Sequence, residues 1–176
     1  IEDQDTFEDT PLVLTLEATD VDEDLLTFTA LSEYPENVSV DVEGDQLTLA
    51  PAQDFYGDVQ ISISVTDGEY TPPNIVFVLT VLPVNDTPTI ELPESFTFDE
   101  DESFAEDFSP YLSDIDEDAL TLTVSENENV TVFIDGFGVT FGAVQDWNGT
   151  ETLTFTVNDN QGRAIASDAV DVIVAP

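Results

Sequence analysis

Asp20, Asp22 and Asp24 stand at alternate positions, and Asp114, Asp116 and Asp118 repeat them with the same spacing. Alternate carboxylates offer oxygen ligands to a hard cation. Carboxylates this close do not all stay ionised at low cost without a counter-charge. An EF-hand reading fails. Its sixth position needs glycine, but Leu25 and Ala119 stand there; its twelfth needs glutamate, but Leu31 and Ser125 stand there. Each triplet also runs directly into a strand pattern, with no flanking helix. The plain alternative is an acidic run that solvates a loop. Recurrence in register weighs against it, because random acidity need not repeat at equivalent positions.

Other chemistry is scarce. The chain holds no cysteine and no histidine, which removes thiol nucleophiles, disulfides, zinc sites and imidazole bases. Phosphate loops and Ser-His pairs are absent. Paired carboxylates can act as acid and base in glycosidases, but every pair here sits in an acidic strip without a predicted cleft. The sequence therefore reads as non-catalytic.

The charge balance narrows the partners. Forty Asp and Glu face one basic residue, Arg163, for a formal charge of −39 over 176 residues. Such a chain repels itself when compact. Bound divalent cations or high external salt would offset that repulsion; a salt-adapted source would show the same acidity. Nucleic acid is excluded as a partner, since it needs Lys and Arg against phosphate, and anionic membranes are disfavoured. No apolar run approaches the ~20 residues of a membrane span, and no signal peptide is visible. The abrupt ends at Ile1 and Pro176 suggest an excised or processed fragment. Hydrophobic residues make up 41% of the chain, enough for a packed core rather than disorder.

The elements that must position the triplets come as a repeat. "TDVDEDLLTFTA" (19–30) matches "SDIDEDALTLTV" (113–124) at a shift of 94. "NVSVDVEGDQLTLAPAQDFYG" (37–57) matches "NVTVFIDGFGVTFGAVQDWNG" (129–149) at a shift of 92, so two residues are deleted near 125–128. "ISISVTDGE" (61–69) matches "LTFTVNDNQ" (153–161), and "FEDTP" (7–11) matches "FDEDES" (98–103) more loosely. Period-2 alternation, the strand signature, appears at Leu12, Leu14, Leu16, at Val38, Val40, Val42, at Val59, Ile61, Ile63, Val65 and at Phe77, Leu79, Val81. The second copy repeats it, for example at Leu153, Phe155, Val157 and at Val170, Val172, Val174. Hairpin turns are expected at Glu43-Gly44-Asp45, Asp67-Gly68 and Asp135-Gly136. About seven short strands per copy fit a sandwich. The reading is all-β: two tandem seven-stranded β-sandwiches, residues 1–86 and 87–176, joined end to end through "PVNDTP" (83–88), whose prolines stiffen the link.

Taken in order, "FEDTP", "DVDEDLLTF", "QDFYGDVQISISVTDGE" and "PVNDTP" resemble cadherin repeats, and more closely the bacterial cadherin-like, Ig-like modules of large surface proteins. The resemblance spans nearly the whole chain. It implies Greek-key sandwiches with Ca2+ at the junction between modules. The residues it assigns to metal are Glu8, Asp54, Asn85, Asp86, Asp114, Asp116 and Asp159, with Asp20, Asp22 and Asp67, and Asp3 as a further candidate, at the top of module one. Glu100 and Asp146 repeat the set at the base of module two. The family's linker reads Asp-x-Asn-Asp-Asn; Pro83 and Thr87 depart from it, and one or two ions per junction are expected.

Phe55 and Trp147 precede Tyr56-Gly57 and Asn148-Gly149; they read as core plugs at strand ends, or as a sugar-stacking platform. Asn37, Asn85, Asn129 and Asn148 head Asn-x-Ser/Thr sequons, which matter only in a eukaryotic secretory product. The function expected is a calcium-stabilised spacer or adhesion module of an extracellular, cell-surface or secreted protein. Its partners would be neighbouring repeats of the same polypeptide, cell-surface glycans or homophilic contacts. The alternatives are a carbohydrate-binding module and a subunit of an extracellular filament.

Overall fold

Alternating aliphatic residues become strands wherever a turn residue stops the run. A computed structural model describes residues 1–125, 127–162 and 164–176; Arg163 lies outside the described residues. The chain divides into two compact units, Ile1–Val84 and Asn85–Pro176, called modules one and two below.

Module one has seven strands: β1 (Gln4–Phe7), β2 (Leu12–Thr15), β3 (Thr27–Ser32), β4 (Val38–Glu43), β5 (Gln46–Pro51), β6 (Gly57–Thr66) and β7 (Ile75–Leu82). They form one sheet in the order β1-β7-β6-β3 and another in the order β2-β5-β4. β1 joins β7 in parallel, with Gln4 opposite Leu79; every other pairing is antiparallel. Most inward residues are those the period-2 pattern picks out: Val38, Val59, Ile61, Phe77, Leu79 and Val81 are buried together, and Leu47 and Leu49 on β5 join them.

Module two repeats this plan: β9 (Ser95–Asp99), β10 (Phe104–Asp107), β12 (Thr121–Val124), β13 (Val130–Asp135), β14 (Gly138–Ala143), β15 (Gly149–Asn158) and β16 (Ile165–Ala175). It adds a short ladder of β8 (Thr89–Ile90) with β11 (Leu112–Ser113), beside a 3-10 turn at Ser109–Tyr111. Its sheets run β12-β15-β16-β9 and β10-β14-β13. Here the core is aromatic. Phe96, Phe108, Phe141 and Phe155 pack around one another, with Phe108 and Phe155 ring centroids 4.8 Å apart.

The repeat extends to the backbone. Asp9, Glu23 and Asp54 take positive φ of 56°, 63° and 56°, and Asp101, Glu117 and Asp146 match them at 62°, 59° and 59°. Non-glycine residues rarely enter this region, so the same strain at matched positions marks one design used twice. The two tight hairpins form as expected. Glu43 pairs with Gln46 across Gly44-Asp45, and Asp135 with Gly138 across Gly136-Phe137. Asp67-Gly68 does not make a tight turn. It opens a loop over residues 67–74, because Pro72 and Pro73 cannot donate to a ladder. Asp67 Oδ1 instead accepts the backbone N–H groups of Glu69 (2.7 Å) and Tyr70 (2.6 Å).

The backbone that leads into the fourth strand of each module is fastened by an oxygen acceptor. In module one the N–H groups of Asn37 and Val38 both donate to the Tyr34 carbonyl at 3.0 Å. In module two a carboxylate serves there: the Glu151 oxygens accept from the backbone N–H of Glu128 (2.6 Å), Asn129 (2.9 Å) and Val130 (2.7 Å). Burial pushes the Glu151 carboxyl up, but these three donors outweigh it and hold the group below its ordinary value. A depressed folded pKa stabilises the fold above the unfolded value, near pH 4.3, and that contribution is lost as pH falls through the folded pKa. Glu151→Ala should therefore destabilise module two by about 2 kcal/mol at neutral pH. The gap from wild type should narrow in urea melts as pH drops from about 5 to about 3.

Candidate metal centre

The Asp-x-Asp-Glu-Asp loop folds back on itself because its first aspartate accepts the backbone N–H of its last. Asp114 Oδ1 accepts from Asp118 N at 3.0 Å, and Asp20 Oδ1 accepts from Asp24 N at 3.2 Å and from Asp22 N at 2.8 Å. Left-handed backbone at Glu117 and Glu23 makes the reversal. Glycine enters that region freely; here glutamate carries the strain.

In module two the reversal gathers oxygen. Asp114, Asp116 and Asp118 each offer a carboxylate oxygen within 4.8 Å of the others. Asp114 Oδ2 is buried and has no hydrogen-bond partner among the described residues. The preceding segment adds donors. Asp86 N donates to Asp116 Oδ2 at 2.7 Å, and Asn85 Nδ2 donates to Asp159 Oδ2 at 2.8 Å. Asp159 is only 1% exposed, and its other oxygen accepts from Gln161 N at 2.9 Å. The Asn85 amide, then the Gln161 N–H, hold the Asp159 carboxyl below the ordinary aspartate value, against the opposing effect of burial. Asn85, Asp86, Asp114, Asp116 and Asp159 therefore belong to one constellation, although 74 residues separate Asn85 from Asp159. Gln161, which also donates its side-chain amide to Asp118 Oδ1 at 3.0 Å, was not visible from spacing. Its one signal is a place two residues after Asp159, where an Asx turn puts a backbone donor.

Module one assembles less. Asp20 and Asp67 line a common cleft of about 190 Å³, while Asp22 and Asp24 are exposed. Among the described residues, Asp20, Asp22 and Asp24 are not drawn into a tight oxygen group. The Asp67 carboxyl is held low, first by the Tyr70 N–H and then by that of Glu69. Asp3 Oδ1 accepts from Val78 N at 2.8 Å, fastening β1 to β7. Glu8 is 3% exposed, and its Oε1 accepts from Val84 N. Glu100 follows β9 as Glu8 follows β1, and accepts from Asn148 Nδ2 at 3.2 Å. Asp54 and Asp146 occupy equivalent left-handed turns.

The donor set suits a hard cation. It is all oxygen, it carries several negative charges, and one buried carboxylate oxygen lacks a partner among the described residues. Leaving such an atom unpaired is costly, and a cation would satisfy it. Phe55 and Trp147 are partly buried against their module cores. Trp147 lies over Gly149, where a Cβ would come within 3.0 Å of the ring.

A cadherin-like domain model matches residues 2–81, and a bacterial Ig domain model matches residues 85–174, just over half of the chain. The chain belongs to the bacterial Ig domain family. Its first module is the cadherin-like domain, so the bacterial cadherin-like repeat suggested by the sequence is the family found. This Ig-family chain also resembles solved cadherin repeats. The EC1-2 structure of human mucin-like protocadherin is 18% identical, with 99% of this chain and 96% of that one covered at a TM-score of 0.60. Human protocadherin-24 EC1-2 is 16% identical, with 93% and 87% covered at a TM-score of 0.58. Identities this low establish a shared fold. An endo-fucoidan hydrolase from glycoside hydrolase family 107 aligns over 99% of this chain at 17% identity and a TM-score of 0.40, and the chain spans 27% of its length. No curated protein matches the chain. Domains of the two matched families are typically non-enzymatic. Among the described residues, no helix is long and apolar enough to cross a membrane.

Proposed function

We propose that this chain is a calcium-stabilised spacer or adhesion segment of an extracellular protein. The carrying observation is the buried, unpartnered Asp114 Oδ2 within the Asp114–Asp116–Asp118 group. Calcium takes six to eight oxygen ligands in flexible geometry, which suits a loop rich in carboxylates better than magnesium's strict octahedron. Asp114, Asp116 and Asp159, with Asn85 and Asp86 in the segment before β8, are the ligand candidates of module two. Asp118 joins them on proximity. Asp20, Asp22 and Asp67 form a looser set in module one, and Glu8 and Asp54 stay in the proposal as ligands that the family resemblance implies. Calcium would stabilise by mass action, because the unfolded chain does not hold these oxygens together.

Trp147, the single tryptophan, packs against the module-two core and reports that module's melting. Millimolar calcium should raise the Trp147-detected midpoint by several degrees, and a chelator should return it to the starting value. A midpoint that ignores calcium, at constant ionic strength, would remove the metal from this reading and leave an acidic structural pair.

A further inference from the structure

The outer face of the β10-β14-β13 sheet holds an exposed aromatic ring in a shallow trough. Phe133 on β13 is 68% exposed. It pairs with Thr140 on β14, which pairs with Ala105 on β10. Two residues along each strand, on the same face, Asp135 pairs with Gly138, and Gly138 with Asp107. The trough they line with Glu106 has a volume of about 370 Å³. At the shift of 92, Phe133 stands where module one has Asp41, and Gly138 where it has Gln46. Val13 holds the place of Ala105, since it pairs with Thr48, the counterpart of Thr140. Compared with its twin, this face has exchanged an acid for a ring and two larger side chains for smaller ones. Two of its carboxylates are fixed in place. Asp107 Oδ1 accepts from the Ser109 hydroxyl (2.7 Å) and from Ser109 N (3.0 Å), and Glu106 Oε1 accepts from the Tyr111 hydroxyl (2.8 Å). The same two Ser109 donors, the hydroxyl first, hold the Asp107 carboxyl below the ordinary aspartate value, so it stands ready as an acceptor.

We propose that this trough binds a neutral saccharide. The C–H face of one sugar ring stacks on Phe133, and hydroxyl groups of the sugar donate to the carboxylates of Glu106, Asp107 and Asp135. Small-molecule clefts combine an apolar or aromatic wall with a few placed polar groups in roughly 300–1,000 Å³, and the trough meets that description at its lower end. Glycine and alanine at 138 and 105 let a flat ring come close to the sheet. The chain's charge of −39 repels an anionic glycan, and repels a second copy of the chain equally. A basic partner would gain from added acid, yet the exchange of Asp41 for Phe133 takes charge off this face. That exchange suits an uncharged ligand with one apolar side. Phe55 and Trp147, which the sequence marks as candidates for sugar stacking, pack against their module cores instead.

The test titrates cellohexaose, xylohexaose, mannohexaose and laminarihexaose, to millimolar concentration, into the isotope-labelled full chain and follows the amide resonances of Gly138 and Thr140. At least one of these sugars should shift both amides saturably. Phe133→Asp, which restores the module-one residue type, should weaken that binding by about ten-fold or more, since the stacking and the burial of the ring are lost together. Phe133→Tyr keeps the ring and should retain the binding. Both variants should keep the wild-type midpoint in Trp147-detected melts, because residue 133 faces solvent. No shift with any of the four sugars, or an equal response in Phe133→Asp, would overturn the proposal. Hexalysine shifting these amides where the sugars do not would overturn it in favour of a basic partner.

Discussion

Asp114→Asn should abolish the calcium response of module two while leaving the metal-free module as stable as wild type or more so. The substitution keeps the shape and keeps Oδ1 as acceptor for Asp118 N. It removes the charge on the oxygen that has no partner. Two unit charges at the spacing of this cluster repel by on the order of 3 kcal/mol at an effective dielectric near 20. Solvent screening of partly exposed groups leaves about 1 kcal/mol of that. In chelator, then, the variant's midpoint should match or exceed the wild-type one. In calcium the order should reverse. At a concentration near 100 times its dissociation constant, calcium adds about 2.7 kcal/mol to the wild type, worth about 10–20 °C for a module of this size. The variant should gain little of this. Trp147 fluorescence melts, with and without calcium, read both halves. A variant that loses stability equally in chelator and in calcium would mean that Asp114 serves the loop's fold and holds no metal.

The sandwich was legible because its information is local. Ile61 and Ile63, or Leu153 and Phe155, declare an inward face within two residues, and the structure buries all four. The acidic loop was legible for the same reason, since Asp114 and Asp118 meet across one reversal. What escaped is long-range or too short to show a period. Asn85 reaches Asp159 across 74 residues, and the family resemblance grouped them where spacing could not. The β8–β11 ladder has two residues on each strand, fewer than alternation needs to declare itself. Glu151 stands where the repeat places Val59, which is 1% exposed in module one. The mismatch is in plain view, but its meaning requires knowing that three backbone N–H groups, those of residues 128–130, converge on that side chain. Asp67-Gly68 does lie in the hairpin between β6 and β7, but Pro72 and Pro73 lengthen its connection to a loop over residues 67–74.

Phe155→Ala should be the most damaging single change in module two. Phe155 is fully buried on β15, 4.8 Å from the Phe108 ring centroid and 6.1 Å, edge-on, from that of Phe141. Truncation removes ring burial and two aromatic contacts and leaves a cavity that neighbouring β-strands cannot easily collapse. The expected cost is about 3–5 kcal/mol. Domains of this size hold only about 5–15 kcal/mol in total, and self-repulsion in a chain of charge −39 works against the compact state as well. The variant should therefore melt at least 15 °C below wild type, on the order expected from that loss, or be unfolded at ambient temperature in low salt. Phe155→Leu keeps most of the volume and should lose about half as much. Salt discriminates the two forces. Raising ionic strength shortens the screening length from about 10 Å at 0.1 M to about 3 Å at 1 M, which should lift wild type and both variants together while leaving the differences among them unchanged. If salt instead closed the gap between Phe155→Ala and wild type, the aromatic core would not be what holds this acidic module against its own charge.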